Sequence, residues 1–353
     1  MKFKRVLLST LFVLSTLVLL TNCTQNSGGK AGAKKSDTAA TAKPGEEADT
    51  LSVTKSSYPP VNKQLYDSLM KRAANGDTSG RWPVKGTPYP LGGAILPFKR
   101  VVAFYGNLYS KRMGILGELP ANEMLAKLKG EVKSWERADP KTPVQPALHY
   151  IAVVAQGDGG KDGKYRYRMP FKQIDSVLFL AKKINALVFL DVQVALSNIQ
   201  AELPLFEKYL IMPQVHFGID PEFSMKDGSK PGKKIGTYDA ADVNYVSGYL
   251  AGLVKKHGLP PKMLVVHRFT KKMVTNYKNI KLRPEVQVIM DMDGWGEPEL
   301  KMGTYRYFID REPVQFTGFK LFYKNDIKKA PHHMMTPQEV LKYKPAPLYI
   351  QYQ

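Results

Sequence analysis

LVFLDVQVALSNIQAELPLFEKYLIMPQVHFGIDPE, residues 187–222, decides the fold. Two apolar runs, Leu187–Gln193 and Val215–Asp220, each stop at polar side chains, and a stretch long enough for a helix lies between them. Buried parallel strands read this way, as continuous Val, Ile, Leu and Phe rather than as an alternation. Working outward, the same unit recurs on both sides. The further runs are Val101–Tyr105, Leu148–Ala155, Met263–His267, Val286–Asp293, Phe316–Phe322 and Leu348–Tyr352. Eight strands alternating with helices predict a (β/α)8 TIM barrel, with an open α/β sheet as the alternative.

Helices are expected at about 121–136, 171–184, 197–210, 239–257, 299–310 and 337–342. Pro120-Ala-Asn-Glu and Thr237-Tyr-Asp-Ala are helix starts. Val243, Val246, Tyr249, Leu250 and Leu253 have the spacing of one buried face, and Gly258 with Pro260 and Pro261 ends that helix. No helix follows the last run, so Val61–Ala74 is expected to supply the closing one. In a barrel the carboxyl ends of the strands face one pocket. Here those ends offer Tyr105, Asn107, Asp158, Asp191, Gln193, Asp220, Glu222, His267, Arg268, Asp291, Asp293, Lys320 and Gln351.

The amino terminus carries an address. Residues 1–22 have a basic start (Lys2, Lys4, Arg5) and an apolar run from Val6 to Leu20, which is the pattern of a secretory signal peptide. Cys23 follows directly and is the only cysteine of the chain, so no internal disulfide can form. Leu20-Thr21-Asn22-Cys23 resembles the bacterial lipobox, with Asn22 where a smaller residue is usual. That resemblance implies acylation, such as palmitate, at Cys23 and a membrane partner reached through the lipid. The cell envelope is the implied location. In a Gram-negative host Thr24, where Asp would retain the protein, implies the outer membrane; otherwise the outer face of the cytoplasmic membrane is expected. Residues 23–57, mostly Gly, Ala, Ser, Thr, Lys and Glu, read as the lipidated cysteine and a flexible linker. Residues 58–97, rich in Pro and Gly, read as a segment wrapping the barrel, and residues 98–353 as the barrel domain.

The formal charge is +21, and loss of the three leader cations leaves +18. The linker has five lysines and four acids, so +17 belongs to residues 58–353. Such an excess favours a polyanion, with nucleic acid, anionic lipid headgroups and acidic wall polymers or polysaccharides as candidates; a basic proteome or a simply charged, solvated surface is the alternative. No helix interleaves Arg and Lys with aromatic residues, so nucleic acid is not the expected partner.

Asp220 and Glu222, two apart at the end of the fourth run, would share one face of a strand. Two close carboxylates cannot both ionise freely, so one is held protonated and can act as an acid, as glycosidic cleavage requires; the alternative is a Pro-containing loop in which Asp220 caps a turn. Asp291 and Asp293 repeat that spacing, and Trp295 between glycines offers a flat apolar ring to a sugar. Asp191 and Gln193, with Tyr105 and His267, complete a hydroxyl-binding set. Lys320 would bind an anionic substrate or neutralise the acids. No cofactor is called for, and no HxH, HExxH, CxxC or Gly-x-Ser-x-Gly pattern exists. A divalent metal would nevertheless find convergent ligands in Asp191, Asp220, Glu222, His267, Asp291 and Asp293. The glycine-rich Gly157–Gly163 lacks the phosphate-loop pattern and reads as a mobile loop over the pocket.

Asp-x-Glu at the end of strand four resembles the chitinase-like and Chalaropsis-type lysozyme barrels. The resemblance implies Glu222 as proton donor, with Asp220 orienting it or stabilising a developing cation. This chain departs from both patterns, with Gly218 where chitinases carry another Asp and Tyr105 where those lysozymes carry an acid. Gly218–Glu222, Leu259–His267, Asp293–Gly296 and Gly318–Tyr323 together resemble a group of bacterial secreted lipoproteins of no assigned activity, across about 215–324. The resulting expectation is a membrane-anchored glycan hydrolase. The alternatives are a non-catalytic glycan-binding or scaffolding lipoprotein and a metal-dependent phosphodiesterase using the same acids.

Overall fold

The computed structural model describes residues 57–353 apart from Ala330. The leader, Cys23 and nearly all of the linker expected from the sequence lie outside the described residues. Eight parallel strands form a closed barrel: β1 Arg100–Gly106, β2 Val144–Ala155, β3 Leu187–Val192, β4 Val215–Ile219, β5 Lys262–Arg268, β6 Val286–Met292, β7 Phe316–Leu321 and β8 Tyr349–Tyr352. Each pairs with the next in sequence, and β8 returns to β1 through Val101↔Tyr349 to Phe104↔Tyr352. Closure removes the open-sheet alternative and leaves the barrel no unpaired edge. Every expected run is a strand, with ends shifted by at most four residues.

The helices include α1 Lys63–Ala73, α2 Ala121–Ala138, α3 Phe171–Lys182, α4 Ala240–His257, α5 Pro298–Tyr305 and α6 Pro337–Val340, and a single helical turn, Ile115–Glu118, precedes α2. Asp239 caps α4 in a capping box with Asp242, and Gly258 ends it at φ 60°, a left-handed conformation that glycine adopts freely. The continuous helix expected over 197–210 is broken instead. Pro204 removes a backbone donor, and the segment becomes Ile199–Glu202, a 3-10 turn at Leu203–Phe206, and Glu207–Leu210. The stretch after α5 widens into a π turn over Arg306–Asp310.

Two apolar cores result. One lies between the barrel and its helices, where Met124, Leu125, Leu128 and Trp135 of α2 are buried. The other fills the lower barrel with Val101, Ala103, Ala147, Leu187, Phe189, Met263, Val265, Ile289, Phe316 and Tyr349, joined by Tyr66, Met70 and Leu96. Thus α1 does not close the outer ring after β8. It plugs the amino-terminal end of the barrel, where Arg72 donates to the Lys141 carbonyl and Ala346 donates to the Ala73 carbonyl. The plug forms because Tyr66 and Met70, four apart, share one face of an otherwise polar helix. Met70→Ala is expected to lower stability by about 3 kcal/mol in a urea titration. Leu65→Ala, on the same helix but 48% exposed, should stay within about 0.5 kcal/mol of the parent.

Candidate active site

The carboxyl ends of the strands open into a cavity of about 660 Å³. Its lining includes Tyr105, Gln193, Asp220, Glu222, Asp293, Trp295 and Lys320, seven of the ten residues expected to act there. Phe223, Phe269, Leu300 and Phe322 add apolar wall, and Arg112 and Asn325 add polar rim. Trp295 is 52% exposed, with the Lys328 ammonium 4.8 Å from its ring centre.

Asp191, His267 and Asp291, the other three, lie beneath the cavity and are fully buried. They form a polar layer across the barrel interior, above the apolar core. Asp191 Oδ2 accepts from the Tyr105 hydroxyl at 2.9 Å. Its Oδ1 is 3.4 Å from His149 Nε2 and 3.5 Å from His267 Nε2. His267 Nδ1 faces Asp291 Oδ2 at 3.5 Å and Asp293 Oδ2 at 3.4 Å. Asp293 Oδ1 pairs with Lys320 Nζ at 2.8 Å, and that ammonium also sits 3.9 Å from the Tyr105 ring centre. His149 Nδ1 lies 2.5 Å from the Tyr349 hydroxyl, which also accepts from Gln351 Nε2 at 2.9 Å.

Glycines inside two strands make room for this layer. In register, Gly218 neighbours Asp191 and Gly318 neighbours Asp291. A methyl group on Gly218 would come within 2.4 Å of Asp191 Oδ1 and 2.6 Å of His149 Nε2; one on Gly318 would come within 2.4 Å of Asp291 Oδ1. Glycine weakens a strand, and its use here marks close approach of another group. The departure from the chitinase pattern at Gly218 therefore has a steric cause: a side chain there would displace Asp191 and His149.

The layer sorts protons by competition between burial and neighbours. Burial opposes charge on His267, but Asp191 and Asp293 beside it hold it well above the usual histidine range, as an imidazolium. Burial wins for His149, which is pushed down to about 4 and is neutral. Burial alone would raise Asp191; the His267 charge and His149 Nε2, 3.4 Å away, outweigh it and keep the carboxylate ionised. Burial also raises Asp291, to about 6, against the pull of His267. Asp293 is held low, because Lys320 and His267 outweigh burial. Glu222 goes the other way, to about 7, from burial and the Asp293 charge, with Lys320 and His267 opposing. Asp220 lies well above the carboxylate range, chiefly from burial.

Several expectations need correction. Strand β4 ends at Ile219, because Pro221 cannot continue the ladder, so Asp220 and Glu222 leave the strand in a 3-10 turn, Pro221–Phe223. Both still reach the cavity. Asp220 Oδ1 accepts from the Glu222 backbone N–H at 3.0 Å and Oδ2 from Gln193 Nε2 at 3.2 Å, which fixes the turn. Arg268 points away from the cavity into the carbonyls of Thr270, Lys271, Val274 and Phe308 and the Glu312 carboxylate. Asn107 donates to the Ile151 carbonyl, and Asp158 is exposed and accepts from Gly160 N–H. The Gly157–Gly163 stretch does not line the cavity; it joins β2 to a short antiparallel strand, Arg166–Arg168. Of the six ligands offered to a metal, Asp191 and His267 alone belong to a convergent donor set found among the described residues, and its third member is His149.

His149, His216 and Tyr349 were missed. Each is a polar or hydroxyl-bearing residue inside an apolar run, and the run was read only at its end. His216 is fully buried, its Nδ1 accepting from the Met263 N–H at 3.1 Å. The signal was present, because a polar side chain in mid-strand of a barrel must find an interior partner.

The Lys320–Asp293 pair is buried, so removing one member leaves an unpaired charge. Lys320→Met is expected to cost about 3 kcal/mol of stability by urea unfolding at neutral pH. The Lys320→Met/Asp293→Asn double variant should recover most of that loss.

The fold and site together define a (β/α)8 barrel with a cavity lined by carboxyl groups at the carboxyl ends of its strands. The sequence matches no family model and no curated protein. Among solved structures, an endoglucanase from the hyperthermophilic Thermotoga maritima is similar at TM-score 0.40 and 10% identity, over 71% of this chain and 88% of that one. A broad-specificity endoglucanase from Clostridium longisporum is similar at TM-score 0.36 and 8% identity, over 64% of this chain and 75% of that one. An HpcH/HpaI aldolase from Desulfitobacterium hafniense is similar at TM-score 0.32 and 12% identity, over 72% of this chain and 86% of that one.

Proposed function

We infer that this chain is a glycan hydrolase of the cell envelope, held on a membrane through an acylated Cys23. One observation carries the reading: a single cavity holds Glu222, with its carboxyl raised to about 7, and Asp293, kept ionised by the Lys320 ammonium 2.8 Å away. Two carboxyl groups with proton affinities pushed apart are what acid-assisted glycosidic cleavage needs. Glu222 gives its proton to the glycosidic oxygen as the bond breaks. Asp293 faces the positive charge that develops on the sugar ring. Asp220 and Gln193 hold the turn that carries Glu222. Trp295 stacks on a sugar face at the cavity lip.

The +17 carried by residues 58–353, with Arg112 at the rim, supports an anionic wall polymer or acidic polysaccharide as substrate. Among the described residues no helix is long and apolar enough to cross a membrane, so the anchor rests on residues 1–23. Sugar release from peptidoglycan and a panel of acidic polysaccharides by the full chain, with Glu222→Gln alongside, tests the reading. Binding to these polymers without release from any of them would sink the hydrolase and leave a glycan-binding protein.

A further inference from the structure

We propose that His149 Nε2, Asp191 Oδ1 and His267 Nε2 bind a divalent transition-metal ion, zinc by their geometry, inside the barrel beneath the cavity. The three donor atoms lie within 4.8 Å of one another. Asp191 Oδ1 is 3.4 Å from one imidazole nitrogen and 3.5 Å from the other. Ligands about 2.0–2.1 Å from a tetrahedral zinc ion are about 3.3–3.4 Å from each other, whereas neighbouring ligands in an octahedron are closer, about 3.0 Å. Both distances from Asp191 Oδ1 fit the tetrahedral ion.

A second observation points the same way. All three donor atoms are buried, and none has a protein hydrogen-bond partner of proper geometry. Buried polar atoms are rarely left so, and three of them facing one point mark a shared ligand. Their other ends are braced. Asp191 Oδ2 accepts from Tyr105 and His149 Nδ1 meets the Tyr349 hydroxyl, while His267 Nδ1, itself without a hydrogen bond of proper geometry, lies 3.5 Å from Asp291 Oδ2 and 3.4 Å from Asp293 Oδ2. An imidazole whose far nitrogen faces a carboxylate is the usual support of a metal-bound histidine. Gly218 leaves the approach to His149 and Asp191 clear.

Charge agrees with geometry. Binding displaces the proton that His267 carries in the absence of an ion; Asp191, Asp291 and Asp293 against Lys320 then leave two negative charges, which one divalent cation neutralises. The triad does not line the cavity, while Tyr105 does and packs edge-on against both imidazoles. The ion therefore braces the polar layer and does not touch substrate. The site stands whether or not the cavity cleaves a glycan.

The test uses the full chain in detergent, stripped with a chelator and titrated with Zn²⁺ or Co²⁺. Uptake of about one ion per chain is expected, with the visible bands of tetrahedral Co²⁺, displaced by Zn²⁺. Zn²⁺ in excess should raise the melting temperature by on the order of 5 °C. His149→Gln, Asp191→Asn and His267→Gln should each weaken binding at least about tenfold and lose that shift. His216→Gln, a buried interior histidine outside the triad, should keep both. The wild-type cobalt spectrum needs no variant, so a variant that fails to fold does not block the test. No uptake by the wild type overturns the proposal, as does uptake that the triad variants leave unchanged, which would place the ion elsewhere, for example on exposed His333.

Discussion

Glu222→Gln is expected to lower sugar release by about 10²–10⁴-fold while the chain still binds its polymer. The amide fills the same space, so binding contacts remain and only the transferable proton is lost. The pH dependence follows from the same group. Glu222 must be protonated to act, and its carboxyl is raised to about 7. In the parent, kcat/KM should hold below pH 7 and fall about tenfold per pH unit well above it. Stability should move the opposite way to activity in the variant. A carboxyl whose folded pKa exceeds its ordinary value of 4.5 stabilises the fold while protonated, fully below pH 4.5, and that contribution is lost as pH rises through 7. Gln carries no such penalty. Glu222→Gln should therefore gain about 3 kcal/mol relative to the parent between pH 4.5 and pH 8, read from urea unfolding at both pH values. A variant that retained turnover, or a parent profile flat through pH 7, would remove Glu222 as the acid.

Gly218→Ala is expected to destabilise the protein by about 3 kcal/mol, although it adds one methyl group. That methyl would come within 2.4 Å of Asp191 Oδ1 and 2.6 Å of His149 Nε2, where the rings and carboxylates of the polar layer leave neither atom an easy retreat. The contrast is Gly130→Ala on the exposed face of α2, where an added methyl meets nothing within 4 Å. There the change should stabilise by about 0.5–1 kcal/mol, because alanine favours the helix. Thermal melts of the two variants should move in opposite directions. Equal shifts would mean that the crowding at Gly218 relaxes at no cost, and that the polar layer is looser than its distances indicate.

The barrel was legible because its strands are buried on both faces and so stand out as apolar runs. Each run could be placed without knowing its partner. The site was half legible for a related reason. Residues at the end of a run, such as Asp293 and Lys320, show their polarity against a loop and attract notice. His149 and Tyr349 sit within Leu148–Ala155 and Leu348–Tyr352, where neighbours conceal them. What makes His149 matter is Asp191 on the adjacent strand, 42 positions away in sequence, and only closure of the barrel brings the two together. Pro221 misled in the other direction: the period-two rule for Asp220 and Glu222 assumed a strand that proline had already ended. The role of α1 was also hidden, because Tyr66 and Met70 show that one face of the helix is buried but not which end of the barrel covers it.

The polar layer also bears on how such a barrel can change over generations. Below it, Val101, Ala103, Val265 and Ile289 need only fill space, and substitutions that conserve volume can accumulate one at a time. Within it, His149, Asp191, Gly218, His267 and Asp291 are mutually dependent. A larger residue at 218 is acceptable only once Asp191 has shrunk, and a shrunken Asp191 strands the charge on His267. Lineages that keep this layer should keep all of it, and lineages that leave it should do so in concert, through variants that replace several members with apolar side chains together.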